Sequence, residues 1–256
     1  MNELHARFLT VDDIPALLAL ESAKWDANQA ACAEMLKRRI AAHPMLCVGA
    51  FCAHSGRALA SLFLRPVAPA IFTAPLQWMD CAAMDGASDN TGSLFGVSLS
   101  STKPQAVEAI FAFIYPYLLK GGWREIYLGS PIPGLRKALQ RNVALPVWQY
   151  VHAKRRGCSD EPADPQLAYY YRKGFRQIVS IHENYFPHAA SLDYGVILRG
   201  PIPLARPGML WRATPLPLLK GLARVLMSAS RTYASCTLRV SAALTGLRIT
   251  ANSETP

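Results

Sequence analysis

The sequence predicts a mixed α/β fold in which a central β-sheet is flanked by helices, followed by a basic C-terminal helical tail. Three observations carry this reading. Apolar runs of strand length alternate with capped, amphipathic windows of helix length along residues 4–200. Hydrophobic residues make up 51% of the 256 and charged residues 17%, enough apolar material to offset ordering entropy, which excludes a disordered or low-complexity chain. Charge is placed unevenly: residues 1–200 carry 20 Lys/Arg against 16 Asp/Glu, whereas residues 201–256 carry 7 against 1. The basic character therefore belongs mostly to the tail, and it points to an acidic partner more than to an acidic substrate of the core.

LHARFL reads as the first strand. Thr10 with Asp12 and Asp13 then caps a helix whose apolar face is Ile14, Leu17, Leu18 and Ala19 or Leu20. A second helix is expected over about Asn28–Ala42, with Cys32, Met35, Leu36 and Ile40 on one face and Glu34, Lys37 and Arg38 on the other, stopped by His43-Pro44. MLCVGAFCAH and RALASLFLRPV, joined by Ser55-Gly56, make a hairpin. Residues 66–93, rich in Pro, Ala, Asp, Gly and Ser, form a loop excursion with one short segment around Leu76–Met84. SLFGVSLSS is a strand apolar on both faces. Ser100, Ser101 or Thr102 caps the next helix, which has Pro104 in its first turn and ends at Gly121-Gly122. WREIYLGS follows as a strand, PIPGLRKALQRN as a short helix, and PVWQYVHAKRR has no assigned element. Asp164-Pro165 opens a helix that Gly174 terminates, and RQIVSIHENYF and SLDYGVILRG close the sheet. Residues 1–200 thus form one unit and 201–256 an extension.

No window supplies the 18 to 20 or so uninterrupted apolar residues of a spanning helix. Ile40–Gly56 is broken by two His and a Pro, and Pro66–Met79 holds three prolines. MNELHARFLT has no apolar stretch after a basic start, which predicts a cytoplasmic protein. The six cysteines form no Cys-x-x-Cys and the six histidines no His-x-x-x-His, so no metal site is expected. The basic run His152–Arg156 follows Trp148 and Tyr150 but is too small for a nucleic-acid surface, and no nucleic acid is expected as partner.

The order of elements, together with AYYYRKGF leading into a strand, resembles the GCN5-related N-acetyltransferase (GNAT) superfamily, in which a late helix ends with an aromatic pair, three spacers and Gly-Phe. Here the pair is Tyr169-Tyr170 and the Gly-Phe is Gly174-Phe175. GSPIPGLRKAL, DPQLAYYYRKGFR and NYFPHAASLDYGVILR, in that order, further resemble a subgroup of acetyltransferase domains sometimes fused to carbon-nitrogen hydrolases. The resemblance covers roughly residues 5–200. It implies two parallel central strands, Leu94–Ser100 and Glu125–Ser130, that splay around the pantetheine arm of acetyl-CoA or another acyl-CoA as co-substrate. Carried over, the cofactor-binding positions are Val97, Ser98, Leu99, Ser100, Thr102, Lys103, Gly129 and Ser130. One departure stands out. The superfamily's Gly-rich pyrophosphate loop corresponds here to STKPQAVEAI, which has no Gly, so Lys103 and a capped helix start are what remain to hold the phosphates.

The resemblance also implies direct acyl transfer to an amine, with Tyr170 as the acid that protonates the leaving thiolate. Tyr169, Tyr170 and Tyr171 point about 100° apart on a helix, so one of them at most reaches a thiol. The alternative is that all three pack. Glu125, His152, Asp80 and Asp193 are available as a base by type, and no motif singles one out; Asp164 reads as a helix cap. Two function classes follow: an acyl-CoA-dependent N-acyltransferase acting on a small molecule or peptide, or a non-catalytic module of the same fold that binds an acyl carrier protein, a membrane surface or a partner protein. In the tail, Leu218, Leu222, Val225 and Leu226 fall at helical spacing beside a stripe of Lys220, Arg224, Ser228 and Arg231. Residues 217–231 either dock on the domain or make a peripheral contact with an anionic membrane.

Overall fold

The computed structural model describes residues 4–25, 29–82, 91–157 and 160–225. Leu226, Ser228 and Arg231 of the expected tail stripe lie outside them. The chain begins with β1 (Leu4–Phe8), α1 (Ile14–Ser22) and α2 (Ala33–Ala42), then the hairpin β2 (Cys47–Cys52) and β3 (Ala58–Pro66). The short α3 (Trp78–Ala82) precedes β4 (Ser93–Ser101), α4 (Pro104–Gly121) and β5 (Glu125–Pro131). Then come α5 (Leu135–Arg141), α6 (Val147–His152), α7 (Pro165–Arg172), β6 (Gln177–His182), β7 (Gly195–Pro201) and α8 (Gly208–Ala213). The element order is the one expected, with α6 added where PVWQYVH has no signature beyond Pro146 as an extended lead-in.

Among the described residues, seven strands form one sheet in the order β1-β2-β3-β4-β5-β7-β6. Every neighbouring pair is antiparallel except β4 and β5. One face is covered by α1 and α2, whose Leu17, Leu20, Leu36 and Ile40 pack with Phe63, Phe95 and Val97 of the sheet. The other face receives α4, whose Ile110, Ile114 and Leu118 pack with Val48, Leu62 and Leu94. A third cluster joins β7 to α5, α6 and α7 through Val196, Leu198, Leu135, Val151 and Leu167. Burial of such side chains contributes about 1.5–3 kcal/mol each, which is what holds helices of modest propensity on the sheet.

The start of α1 shows how local chemistry sets an element. Asp13 closes a capping box with Thr10 and takes both arms of Arg7 at 2.6 and 2.7 Å, so this residue, expected as part of a simple cap, is also an anchor to β1. At the other end of the domain the chain does not leave the core after β7. Ile202, Ala205 and Leu219 are buried in the α4-side cluster, and a helix beginning at 216 lies there with Ala223 also buried. Docking uses the Leu219/Ala223 seam, whereas Leu218 and Val225 of the expected stripe stay 65% and 64% exposed. The two stripes are about 100° apart, and the seam with the deeper side-chain burial faces α4. No helix among the described residues is long and apolar enough to cross a membrane.

Candidate functional site

The parallel pair is where the sheet opens. β4 and β5 pair over only four positions, Ser93↔Glu125 to Gly96↔Leu128. Beyond them β4 keeps pairing with β3 as far as Ser101, and β5 keeps pairing with β7 as far as Pro131. Two strands each held by an outer neighbour therefore part company in the middle of the sheet, and the stretch 97–101 presents its β5-side backbone groups with no strand partner among the described residues. A shift in register between Phe63 and Leu64 leaves Val97 as the extra residue of β4, a bulge at the parting point.

The residues expected from the sequence are distributed along this opening. Val97 is buried at the bulge, Ser98 is half-buried and Leu99 is 38% exposed. Ser100 is buried and its hydroxyl donates to Glu21 Oε1 at 2.5 Å while accepting from Trp25 Nε1 at 2.7 Å. Thr102 donates to the Leu59 carbonyl through both its backbone N–H and its hydroxyl. The Lys103 N–H donates to Ser101 Oγ, and Lys103 is the N-cap of α4 with no side-chain cap on the helix's first-turn N–H groups. Pro104 at the first position supplies none of its own. Across the opening, Ser130 is buried and donates to its neighbour's carbonyl at 2.9 Å, while Gly129 is covered by the Tyr185 ring.

Gly129 and Gly195 explain that ring's position. A Cβ on either would lie 2.0 or 2.1 Å from Tyr185 atoms, so both strands must be bare for the ring to lie across them. The Tyr185 hydroxyl is buried without an oxygen or nitrogen partner among the described residues, where its polar neighbour is the Cys81 thiol. Burial pushes the Tyr185 phenol well above its usual range and lifts the Cys81 thiol to about 11. Trp78 ties this corner together: its N–H donates to the Tyr185 carbonyl at 2.8 Å and its ring meets Phe186 edge-on.

Tyr170 projects from α7 into the third cluster, which Leu128, the last β5 residue paired with β4, also borders. Its ring meets Phe175 and Tyr169 edge-on. Burial raises its phenol pKa, with the Gln166 side chain acting the other way. Tyr169 is 46% exposed and Lys173 stands over its ring. Of the three tyrosines, Tyr170 is the one turned into the fold.

The candidate bases are each engaged in structure. Glu125 accepts from Ser93, Tyr127 and Arg199; burial would raise its pKa, but these donors hold it below the usual carboxylate range. Asp80 accepts from the Gln77 N–H, Asp193 from the His188 N–H, and His152 Nδ1 is 2.8 Å from the Trp148 carbonyl. Asp164 is the cap expected, accepting from the Gln166 and Leu167 N–H groups. Sequence reasoning missed Arg39, which is 4% exposed and reaches Ser98 Oγ at 3.5 Å. The signal was its spacing: Leu36, Arg39 and Ile40 share one helix face.

No protein-family model matches the chain, and no curated protein matches it in sequence. Solved structures do match. The GphF GNAT-like decarboxylase in complex with isobutyryl-CoA is 23% identical, with a TM-score of 0.59 over 77% of this chain and 99% of that one. The loading GNATL domain of CurA from Lyngbya majuscula is 15% identical, with a TM-score of 0.63 over 78% of this chain and 98% of that one. The chain has the GNAT fold. The splayed β4/β5 pair and the helix that follows β4 are, in this chain, features that the resemblance implied, and the bulge at Val97 is one that it did not name.

Proposed function

We propose that this chain is an acyl-CoA-dependent acyltransferase that moves an acyl group from the thioester to an amine of a small molecule or peptide. The observation that carries the reading is the parting of β4 and β5 after four paired residues, which leaves an open strand edge beside the uncapped N-terminus of α4. The pantetheine amides suit the free backbone groups of 97–101, and the phosphates suit the first-turn N–H groups of α4 with Lys103 nearby. Gly129 and Ser130 border the other side. Pro104 and the missing glycines leave fewer donors than a Gly-rich loop provides, so affinity rests on the strand edge more than on the phosphates. The neutral amine nitrogen attacks the thioester carbonyl, the C–N bond forms as the C–S bond breaks, Tyr170 gives its proton to the departing sulfur, and the proton that nitrogen loses on becoming an amide passes through solvent to restore the Tyr170 hydroxyl. Residues 1–200 carry this chemistry, and 201–256 form an extension.

A second reading has a specific observation behind it. Glu125 is held by Ser93, Tyr127 and Arg199, and Asp80, Asp193 and His152 each make a local contact to backbone, so none of the four is singled out as the base for an ammonium acceptor. Loss of carbon dioxide from a carboxylated acyl group needs no base to deprotonate an acceptor, only a proton for the carbon left behind; GphF is named a GNAT-like decarboxylase and the CurA domain a loading domain. We further propose that the tail's basic face contacts anionic membrane, since no acidic residue occurs between Pro201 and Ser253. The deciding experiment incubates the purified protein with acetyl-CoA and with malonyl-CoA and identifies bound and released species by mass spectrometry. Acetylated amine supports the first reading, and acetyl-CoA formed from malonyl-CoA the second. Failure of any acyl-CoA to bind at millimolar concentration would sink both.

A further inference from the structure

Arg39 is a buried cation with no carboxylate at ion-pair distance among the described residues. It is 4% exposed, and among the described residues its one side-chain hydrogen bond runs from Nη1 to Ser98 Oγ at 3.5 Å, the long limit for such a bond. A guanidinium has five N–H donors, so most of its capacity is unspent. Glu21, the acid whose field reaches Arg39, directs Oε1 to the Ser100 hydroxyl and Oε2 to the Ala31 N–H. Phe63 and Trp78 rings stand 5.6 and 5.9 Å from the guanidinium carbon, which leaves its N–H edge toward Ser98. Burying a charge with so few partners is expensive unless something else completes its shell.

Where Arg39 lies says what that is. Ser98 is in the stretch of β4 that β5 has left, one residue past the bulge. From Arg39 the wall runs through Trp78 to Tyr185, which covers Gly129 on β5. Arg39 and Tyr185 thus stand at the two sides of the opening on the α1/α2 face. A planar fork with aromatic walls matches a carboxylate, which it can bind through two parallel hydrogen bonds. We propose that Arg39, assisted by Ser98, binds a substrate carboxylate at this opening and so selects a carboxylate-bearing substrate. The carboxylate belongs either to the acyl group of a dicarboxylic acyl thioester or to the acceptor.

This inference rests on the acyl-thioester reading of the opening. It is tested by calorimetry of acetyl-CoA and malonyl-CoA with the wild-type chain, Arg39→Met and Arg39→Lys, and by mass-spectrometric comparison of amino acids with their amides as acetyl acceptors. If the acyl group carries the carboxylate, the wild type binds malonyl-CoA about tenfold or more tightly than acetyl-CoA. Arg39→Met then erases the difference while acetyl-CoA affinity stays, and Arg39→Lys retains part of it. If the acceptor carries it, the two thioesters bind alike, amino acids are preferred to amides by a similar factor, and Arg39→Met removes that preference. Wild-type protein that binds acetyl-CoA but shows neither preference overturns the proposal and leaves the acyl-CoA reading standing. Either preference persisting unchanged in Arg39→Met also overturns it, and a wild type that binds no acyl-CoA overturns both. Should Arg39→Met not fold, the wild-type preferences and Arg39→Lys still decide.

Discussion

The Tyr150 hydroxyl donates to Asp164 Oδ2 across 2.7 Å, joining the middle of α6 to the cap of α7. The same oxygen accepts from the Gly134 N–H at 3.0 Å, and Oδ1 accepts from the Gln166 and Leu167 N–H groups. One fully buried carboxylate therefore fixes the starts of two helices and the tyrosine between them. Loss of the cap costs about 1 kcal/mol and each stranded buried donor a further ~1–3. Asp164→Ala is expected to destabilise the domain by about 3 kcal/mol in urea unfolding, and Tyr150→Phe by about 1 kcal/mol. A double variant less damaged than the two singles combined would show that the loss is shared through this contact.

Much of this was legible in sequence. Asp164-Pro165 announces a cap because both residues favour a helix start, and the strand SLFGVSLSS stands out because it is apolar on both faces. The parting of β4 and β5 was not readable from either strand alone. It depends on which outer neighbour each strand keeps, a relation between residues 60–66, 94–101 and 195–201. Arg39 was hidden for a similar reason: it sits in Lys-Arg-Arg, which reads as a solvated face, and the groups around it, Phe63, Trp78 and Ser98, come from distant parts of the chain. The tail's docked seam was missed because Leu219 and Ala223 are less conspicuous than the longer leucine stripe beside them.

Tyr170→Phe is expected to lower turnover about a hundredfold while acyl-CoA affinity changes little, since removing a proton donor deletes an interaction made in the transition state. Tyr169→Phe is expected to be milder, its hydroxyl belonging to an exposed ring. Steady-state kinetics beside calorimetry separate the two quantities. Equal turnover in wild type and Tyr170→Phe would remove Tyr170 from the mechanism.

Gly129→Ala places a methyl 2.0 Å from the Tyr185 hydroxyl and 2.6 Å from its ring, which is held by Gly195 and by the Trp78 N–H bond. Overpacking of this kind costs about 1–3 kcal/mol. The variant is expected to unfold at lower urea and to bind acyl-CoA more weakly. Tyr185→Phe, which deletes a buried hydroxyl lacking an oxygen or nitrogen partner, is expected to be neutral or slightly stabilising.

Acid sensitivity follows from Asp13 and Glu125. Burial works to raise both carboxyls, but Arg7 on Asp13 and the Ser93, Tyr127 and Arg199 donors on Glu125 outweigh it and leave both pKa values lowered. A depressed folded pKa contributes stability that is complete above the unfolded value, about 4, and is lost as pH falls through the folded one. The urea midpoint is expected to fall between about pH 6 and about pH 3. Glu125→Gln is expected to start lower and to show a shallower fall, and an unchanged slope would relieve Glu125 of that role.

The tail offers the last test because its docked and exposed sides can be varied separately. Leu219 is 1% exposed beneath α4's partners, whereas Leu218 is 65%, Met209 88% and Leu210 57% exposed, beside Arg212 and Arg224. Exposed apolar side chains flanked by basic residues are what an interfacial helix presents, and each Lys or Arg near anionic lipid contributes about 1 kcal/mol. The full chain is expected to sediment with vesicles containing phosphatidylserine and to stay in solution with phosphatidylcholine alone. Leu218→Glu combined with Met209→Glu is expected to abolish sedimentation without changing the urea midpoint, because neither side chain is in the core. Leu219→Glu is expected to lower that midpoint by inserting a charge into the α4-side cluster. If the double variant still sediments, the membrane contact lies elsewhere than on α8 and the helix after it; if Leu219→Glu leaves the midpoint unchanged, that helix contributes nothing to the fold.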